Sequence, residues 1–206
     1  MLDRRAGRSS SWAMPTILVA LAALAALFAP PAHASPEAAW TALAHGHGIA
    51  LVRHATAPGT GDPAGFRLED CATQRNLSDI GRDEARRLGE AFRRRGVPVG
   101  RVLSSRWCRS LETARIAFGP EVAGDAALDS FFADRAAADP RTAAARAVIA
   151  AREPGRALVL VTHHVNIIAL TGVAPRSGEM VVVRPEGEGL VVVGRIPVEA
   201  LAADAL

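Results

Sequence analysis

The chain has 206 residues, of which 50% are hydrophobic and 22% charged, a composition typical of a globular domain and not of a disordered or fibrous protein. All 24 basic residues are arginine, so the chain lacks the lysine that P-loop nucleotide hydrolases place on the phosphates. The formal net charge is +3 and becomes +1 if residues 1–34 are removed, which disfavours a nucleic-acid-binding function.

The N-terminus has the pattern of an export signal. Three arginines lie within the first eight residues, an apolar run follows from Ile17 to Ala29, and Ala32-His33-Ala34 matches a small-x-small cleavage site. We therefore predict a signal peptide over residues 1–34, a single domain over residues 35–206, and a periplasmic or secreted location. An uncleaved membrane anchor is the alternative, although the apolar run is short for a membrane-spanning helix.

The rest of the chain alternates predicted helices and strands. Capping residues, apolar periodicity and glycines predict helices from Ser35 to near Gly46, from Ser78 to Gly96, from Ser105 to Gly119, from Asp139 to Arg152, and through Ile167 and Leu170 to Gly172. Apolar runs predict strands at Ile49–Val52, Arg101–Ser104 and Ala157–Val161, and a hairpin of Met180–Val183 with Leu190–Val193. This alternation predicts an α/β fold with a sheet covered by helices on both faces.

Polar side chains follow three of the predicted strands. Arg53-His54 ends the first strand, Arg106 and Arg109 follow the second, and Thr162-His163-His164 ends the third. Ligands bind outside the carboxyl ends of the strands in open α/β sheets, so these groups should meet in one crevice. Arginines, histidines and a helix N-terminus together predict an anion site, most simply for phosphate. The long loop between residues 55 and 76 is expected to contribute to it.

Metal and dinucleotide sites are poorly supported. Adjacent strand residues point to opposite faces, so His163 and His164 cannot easily share one metal ion. His45 and His47 lack companion ligands at a suitable spacing, and we expect no metal and no cofactor. The glycine run that ends at Gly65 has one residue too many for a dinucleotide fingerprint and contains Pro63.

The two cysteines exclude one class of phosphatase. A cysteine-dependent phosphatase needs an arginine six positions after the cysteine, but Leu77 follows Cys71 and Ala114 follows Cys108 at that distance. In an oxidising compartment the two cysteines can form one disulfide. The alternative is that Cys108 is a buried free thiol.

Four segments resemble, in family order, the histidine phosphatase superfamily. They are Leu51-Val52-Arg53-His54-Ala55, Leu77-Ser78-Asp79-Ile80-Gly81, Ser104-Ser105-Arg106-Trp107-Cys108-Arg109 with Thr113-Ala114, and Val161-Thr162-His163. The resemblance implies a three-layer α/β/α sandwich with a mostly parallel central sheet. It also implies a metal-independent phosphatase for a small phosphorylated substrate.

The resemblance assigns roles to individual residues. His54 would be the nucleophile that forms a phosphohistidine, while Arg53, Arg109 and His163 would bind the phosphoryl oxygens. Thr56 stands where relatives often have Glu, and we expect it near the substrate as well.

Several carboxylates are candidates for the general acid that donates a proton to the leaving group. Asp129, which follows a strand-like Leu128, lies where relatives have an acidic donor, and Asp62, Glu69 and Asp70 are alternatives.

Two functions follow from these features. The first is hydrolysis of phosphomonoesters or phosphoramidates through phosphohistidine. The alternative is a non-catalytic phospho-ligand-binding protein on the same fold, without an effective proton donor. We expect no nucleic-acid partner and no stable membrane association after removal of the signal.

Overall fold

The computed structural model describes residues 35–201. Six strands form one sheet: β1 (Ile49–Arg53), β2 (Val99–Ser104), β3 (Ala123–Gly124), β4 (Ala157–Thr162), β5 (Met180–Glu186) and β6 (Gly189–Ile196). Their order across the sheet is β3-β2-β4-β1-β5-β6. The first four strands are parallel to one another, and the β5–β6 hairpin adds two antiparallel strands at one side.

Helices cover both faces of this sheet. They are α1 (Pro36–Ala44), α2 (Asp79–Arg94), α3 (Cys108–Phe118), α4 (Ala138–Ala150) and α5 (His164–Thr171). Alternate residues of the central strands pack on opposite faces: Ala50 and Val52 against α1–α3, and Ile49 and Leu51 against α4 and α5. The predicted three-layer α/β/α sandwich with a mostly parallel sheet is therefore confirmed.

Local sequence explains how α2 is placed. The Ser78 hydroxyl accepts a hydrogen bond from the Gly81 N–H at 3.1 Å, as the sequence predicts for an N-cap. A Cβ at Gly81 would lie 2.2 Å from the Thr56 carbonyl oxygen, so only glycine allows this approach. The start of α2 is thereby fixed against the chain that leaves β1.

The start of α3 differs from the prediction. The helix begins at Cys108, and Ser105 is not its N-cap. The Ser105 N–H instead continues the sheet by donating to the Val161 carbonyl at 2.8 Å. The Cys108 N–H is bound by Gln74 Oε1 at 3.0 Å, so a distant residue satisfies the helix terminus.

Two further differences concern the segment between α3 and α4. Leu128 belongs to a 3₁₀ turn (Ala126–Leu128) and not to a strand. The short β3 was not predicted, because two residues give no periodic signal.

The predicted signal peptide and the membrane-anchor alternative lie outside the described residues. Within residues 35–201, no helix has the length and apolar character needed to span a membrane.

Candidate active site

His54 directly follows β1 at the carboxyl end of the parallel strands. Its imidazole is buried, and its backbone N–H donates to the Thr162 carbonyl at 3.0 Å. Nδ1 lies 2.8 Å from the Ala55 carbonyl oxygen, which can only accept, so we assign the ring proton to Nδ1. The lone pair is then on Nε2, which lies 3.3 Å from Arg109 Nε. The ring nitrogen that carries the lone pair therefore faces a guanidinium group.

The surroundings of His54 keep it neutral. Burial, followed by the positive charge of Arg109, lowers the pKa of His54 to about 3. An imidazole with this pKa carries an available lone pair throughout the neutral pH range.

Arg109 is held in a fixed orientation by Asp62. The guanidinium lies in the first turn of α3 and is buried. Its Nη1 and Nη2 donate to Asp62 Oδ1 and Oδ2 at 2.7 and 3.2 Å, a paired arrangement that fixes the plane of the guanidinium. Because Asp62 binds these two nitrogens, Nε–H is directed towards His54 Nε2.

The Asp62 carboxylate has further hydrogen-bond donors besides Arg109. It also accepts hydrogen bonds from the Trp107 indole N–H at 3.0 Å and the Arg75 backbone N–H at 3.1 Å. Burial alone would raise the pKa of Asp62, but the hydrogen bonds, led by that from Arg109, hold it below its usual value. Asp62 is therefore ionised at neutral pH and has no proton to give to a leaving group.

His163 follows β4 and lies beside His54, with 5.4 Å between the ring centroids. Its Nε2 is 2.7 Å from Ser105 Oγ and 3.5 Å from Ser110 Oγ. Burial, followed by the electrostatic interaction with His54 and by the positive charge of Arg109, lowers the pKa of His163 well below its usual value. His163 is thus a neutral group at the same strand edge.

Three guanidinium groups surround the two histidines. Besides Arg109, Arg53 is anchored by a hydrogen bond from Nη1 to the Pro175 carbonyl at 3.0 Å. Arg75 is anchored by Nε to the Gly61 carbonyl at 2.7 Å. Among residues 35–201, Asp62 is the one carboxylate that lines the cavity formed by these groups, so its negative charge and the three positive charges leave a balance of +2. This balance matches the charge of a phosphomonoester dianion.

These groups line a cavity of about 580 Å³. One side of the cavity is formed by Arg53, Arg75 and Arg109, which we call the cationic floor, and His164 borders it. Burial and the charge of Arg53 lower the pKa of His164. The other side is largely apolar, with Phe66, Trp107 and Phe132 among its residues. The cavity can therefore hold an anionic group together with a larger apolar group.

We compared the chain with known protein families, sequences and solved structures, and the solved structures show which fold it shares. No protein-family model matches the chain, and no curated protein matches it in sequence. The protein histidine phosphatase SixA complexed with tungstate aligns at 18% identity and a TM-score of 0.51, over 75% of this chain and 99% of that chain. A phosphoserine phosphatase from Entamoeba histolytica aligns at 13% identity and 0.54, over 75% and 98%. A mycobacterial glucosyl-3-phosphoglycerate phosphatase complexed with VO3 aligns at 18% identity and 0.52, over 71% and 96%.

The chain has the histidine phosphatase fold. On this fold, four of the residues singled out from the sequence meet in the cavity: Arg53, His54, Arg109 and His163. They come from three separate strand ends, as the strand-end argument predicts.

Thr56 is not brought to the cavity of this histidine phosphatase fold. Its hydroxyl donates to Glu84 Oε1 at 2.9 Å, and its backbone N–H donates to Glu84 Oε2 at 2.8 Å. The geometry therefore does not support the expectation that Thr56 lies near the substrate, because Thr56 does not line the cavity and both of its donors tie the loop to α2.

Asp129 is also directed away from the cavity. Its carboxylate is fully buried and accepts hydrogen bonds from the Arg106 backbone N–H at 2.9 Å and Arg106 Nε at 2.8 Å. Ser105 Oγ donates to it at 3.3 Å, and Arg141 lies 3.5 Å away. Because Asp129 does not line the cavity and its oxygens are bound by these groups, the geometry argues against the predicted role as general acid.

The remaining candidate acids are surface groups. Asp70 caps a 3₁₀ turn by accepting from the Ala72 N–H at 3.1 Å and pairs with Arg67. Neither Glu69 nor Asp70 lines the cavity. Among the described residues there is also no group of three His, Cys, Asp or Glu side chains arranged to hold a metal ion.

Sequence reasoning missed several residues of the site. Arg75 and the aromatic side chains Phe66 and Phe132 lie in irregular segments, where no periodicity marks a buried face. Trp107 stands inside the family-like segment next to Arg109, and this position was the one signal that could have identified it.

The two cysteines form a disulfide, Cys71–Cys108, with 5.7 Å between the Cα atoms. It joins the loop after β1 to the first residue of α3, next to Arg109. Gln74 reinforces this connection, because its side chain binds both the Cys108 N–H at 3.0 Å and the Leu68 carbonyl at 2.8 Å.

Proposed function

We propose that the protein is a phosphatase that hydrolyses phosphomonoesters or phosphoramidates through a phosphohistidine on His54. The observation that carries the proposal is the neutral His54 ring, with Nδ1–H bound to the Ala55 carbonyl and Nε2 directed at a cationic cavity. The similarity to solved phosphatases supports it through the fold.

The first step transfers the phosphoryl group. The Nε2 lone pair attacks phosphorus, a P–N bond forms, and the bond from phosphorus to the leaving oxygen or nitrogen breaks with its electron pair on that atom. The ring gains positive charge, which the Nδ1–H bond to the Ala55 carbonyl stabilises. Arg53 and Arg109 stabilise the charge spread over the three equatorial oxygens.

The second step restores the imidazole. Water attacks phosphorus, the P–N bond breaks with its electron pair returning to Nε2, and inorganic phosphate leaves with the proton of the water taken up by solvent or phosphate. Arg109 remains oriented throughout, because Asp62 holds it independently of the substrate.

Protonation of the leaving group limits the substrates. Asp62 is the carboxylate among the residues lining the cavity, and it is ionised and ion-paired. Leaving groups that depart without a strong acid, such as phenols or the nitrogen of a phosphoramidate, are therefore favoured over simple alcohols.

The test is metal-independent phosphate release from p-nitrophenyl phosphate. His54→Ala should lower the rate by about 10⁴-fold or more, and excess chelator should have no effect. His47→Ala, at an exposed histidine outside the cavity, is the matched control and should be as active as the unmutated protein. An active His54→Ala protein would overturn the assignment.

A binding protein for phosphorylated ligands is the second candidate, favoured because the part of the chain that the structure describes places no carboxyl group in the cavity except the ion-paired Asp62. It predicts affinity for inorganic phosphate or tungstate with no turnover of any ester. A phosphoprotein that is labile to acid, formed by the unmutated protein and absent from His54→Ala, would exclude this alternative.

We also propose that the protein acts in the periplasm or is secreted, after removal of residues 1–34. The disulfide supports this location, because disulfides persist in oxidising compartments. The proposed reaction uses no metal or cofactor, and its partner is a small phosphorylated molecule.

A further inference from the structure

We propose that the site selects phosphate esters whose leaving group carries an aromatic or similarly flat apolar ring. The proposal rests on the phosphatase function above and adds the class of leaving group. Phe66, Trp107 and Phe132, which we call the aromatic wall, would contact this ring.

The aromatic wall begins at the phosphoryl site itself. The Trp107 ring lies edge-on to His163, with 5.5 Å between centroids, and the Phe66 ring lies 5.7 Å beyond Trp107. Because His163 is itself 5.4 Å from His54, a row of rings, each next to the following one, connects His54 with Phe66. A group attached to the transferred phosphoryl would lie along this row.

Phe132 completes the wall from a different segment. Its side chain is 47% exposed, whereas the preceding Phe131 is buried in the protein. Phe132 also lines the cavity, where it lies near Gly61 of the loop. Its ring therefore offers apolar area that a ligand in the cavity can cover.

The polar groups of the cavity are already used near the phosphoryl site. Asp62 accepts four hydrogen bonds, and Arg75 donates to two backbone carbonyls. Among the described residues that line the cavity, the other side chains that can bind a hydroxyl are Thr60 and Ser130, with His164 at the border of the cationic floor. Ser130 Oγ accepts from the Phe132 N–H at 3.2 Å. A leaving group rich in hydroxyls would find few partners here, so its desolvation would be poorly compensated.

The size of the cavity agrees with such a substrate. Its volume of about 580 Å³ lies within the range of roughly 300–1,000 Å³ found for small-molecule sites. A phosphoryl group alone would leave most of this volume unfilled. A ring attached to it would fill the space between the cationic floor and the aromatic wall.

The experiment compares 2-phenylethyl phosphate with ethyl phosphate, because both have alkyl leaving groups and they differ mainly in the ring. We expect kcat/KM to be at least about 10-fold higher for the phenyl compound, since burial of one ring is worth more than one methylene. Phe132→Ala should remove most of this preference, measured as the ratio of kcat/KM for the two esters. Ile80→Ala, at a residue that is 64% exposed and outside the cavity, should leave the preference unchanged.

A binding measurement separates this proposal from the phosphatase function. The phosphonates 2-phenylethylphosphonate and ethylphosphonate cannot be hydrolysed, so calorimetry reports their affinities even if no ester is turned over. Tighter binding of the phenyl compound, lost in Phe132→Ala, supports the aromatic wall even if neither ester is turned over. Equal affinities, or a preference that survives Phe132→Ala, would overturn the proposal, as would a higher kcat/KM for ethyl phosphate. Turnover of both esters at the same rate would retain the phosphatase function alone.

Discussion

At the scale of single residues, the chemistry depends on how charges are paired. Arg109 and Asp62 form a buried ion pair, with side-chain exposures of 4% and 8%. Asp62 was one of the candidate proton donors, and the structure gives it the opposite state, a carboxylate that accepts and does not donate. The pairing could not be read from the sequence, because the two residues are 47 positions apart and joined only by tertiary structure.

The first residue-scale prediction concerns Arg109. Arg109→Ala should lower kcat/KM for p-nitrophenyl phosphate by about 10²- to 10³-fold, since in the proposed reaction Arg109 is a donor that stabilises the transferred phosphoryl group. The control is Arg86→Ala, because Arg86 forms an exposed pair with Asp83 on α2 and contributes little to stability. Equal kcat/KM values for the two variants would contradict a phosphoryl-binding role for Arg109.

The second residue-scale prediction concerns Asp129. Asp129→Asn should lower the free energy of unfolding by about 1–3 kcal/mol, because the hydrogen bonds from Arg106 lose a charged acceptor. The ratio of rates for aryl and alkyl phosphates should not change. If Asp129 were the general acid, the alkyl ester alone would slow by about 10²- to 10⁴-fold. Asp134→Asn, an exposed carboxylate in the same segment, should change neither stability nor the rate ratio.

At the scale of helices and loops, the local sequence determines the bounds of α2, whereas tertiary contacts determine the start of α3 and the conformation of the loop after β1. The bounds of α2 follow from Ser78, from its apolar spacing and from Gly96, so the sequence alone predicts them. The start of α3 does not, because its terminal N–H is bound by Gln74 from the loop. The loop itself has no periodic pattern, and its conformation depends on the contacts of Asp62, Gln74 and Arg75.

The disulfide gives the element-scale prediction. Replacing both cysteines, Cys71→Ala with Cys108→Ala, should lower the free energy of unfolding by about 4 kcal/mol, the value expected for releasing a loop with a sequence separation of 37. Reductant should destabilise the unmutated protein by a similar amount and have no effect on the double variant. Mass spectrometry that detects two free thiols in the oxidised protein would contradict the pairing.

At the scale of the whole molecule, the parallel strands determine where the chemistry lies. Arg53 is level with Thr162 in the β1–β4 ladder, and Ser104 is level with Val161 in the β2–β4 ladder, so three strand ends meet at one edge. The sequence predicted this meeting, because it requires only parallel strands in one sheet. It could not predict that the same edge would hold two neutral, buried histidines, since burial depends on the packing of every layer.

These histidines give the final prediction, that stability decreases on mild acidification. In the unfolded chain, histidines bind protons near a pKa of about 6.5. Burial and Arg109 lower the pKa of His54 to about 3, and burial also lowers that of His163 well below its usual value. Below pH 6.5 the unfolded state therefore binds more protons than the folded state, so the free energy of unfolding must fall as the pH falls. Each histidine contributes a slope of up to about 1.4 kcal/mol per pH unit.

Urea unfolding between pH 7.5 and 5 measures this slope. The range lies above the pH at which the lowered pKa values of Asp62 and Glu179 affect stability, so the histidines dominate the change. His54→Ala should make the slope shallower by up to about 1.4 kcal/mol per pH unit, because one group that differs between the two states has been removed. The matched variant is His47→Ala, which removes an exposed histidine outside the cavity and with which the His54→Ala slope is compared. If the His54→Ala slope equals that of the unmutated protein, His54 is not held neutral by the fold, and this result would contradict the pKa of about 3 on which its available lone pair rests.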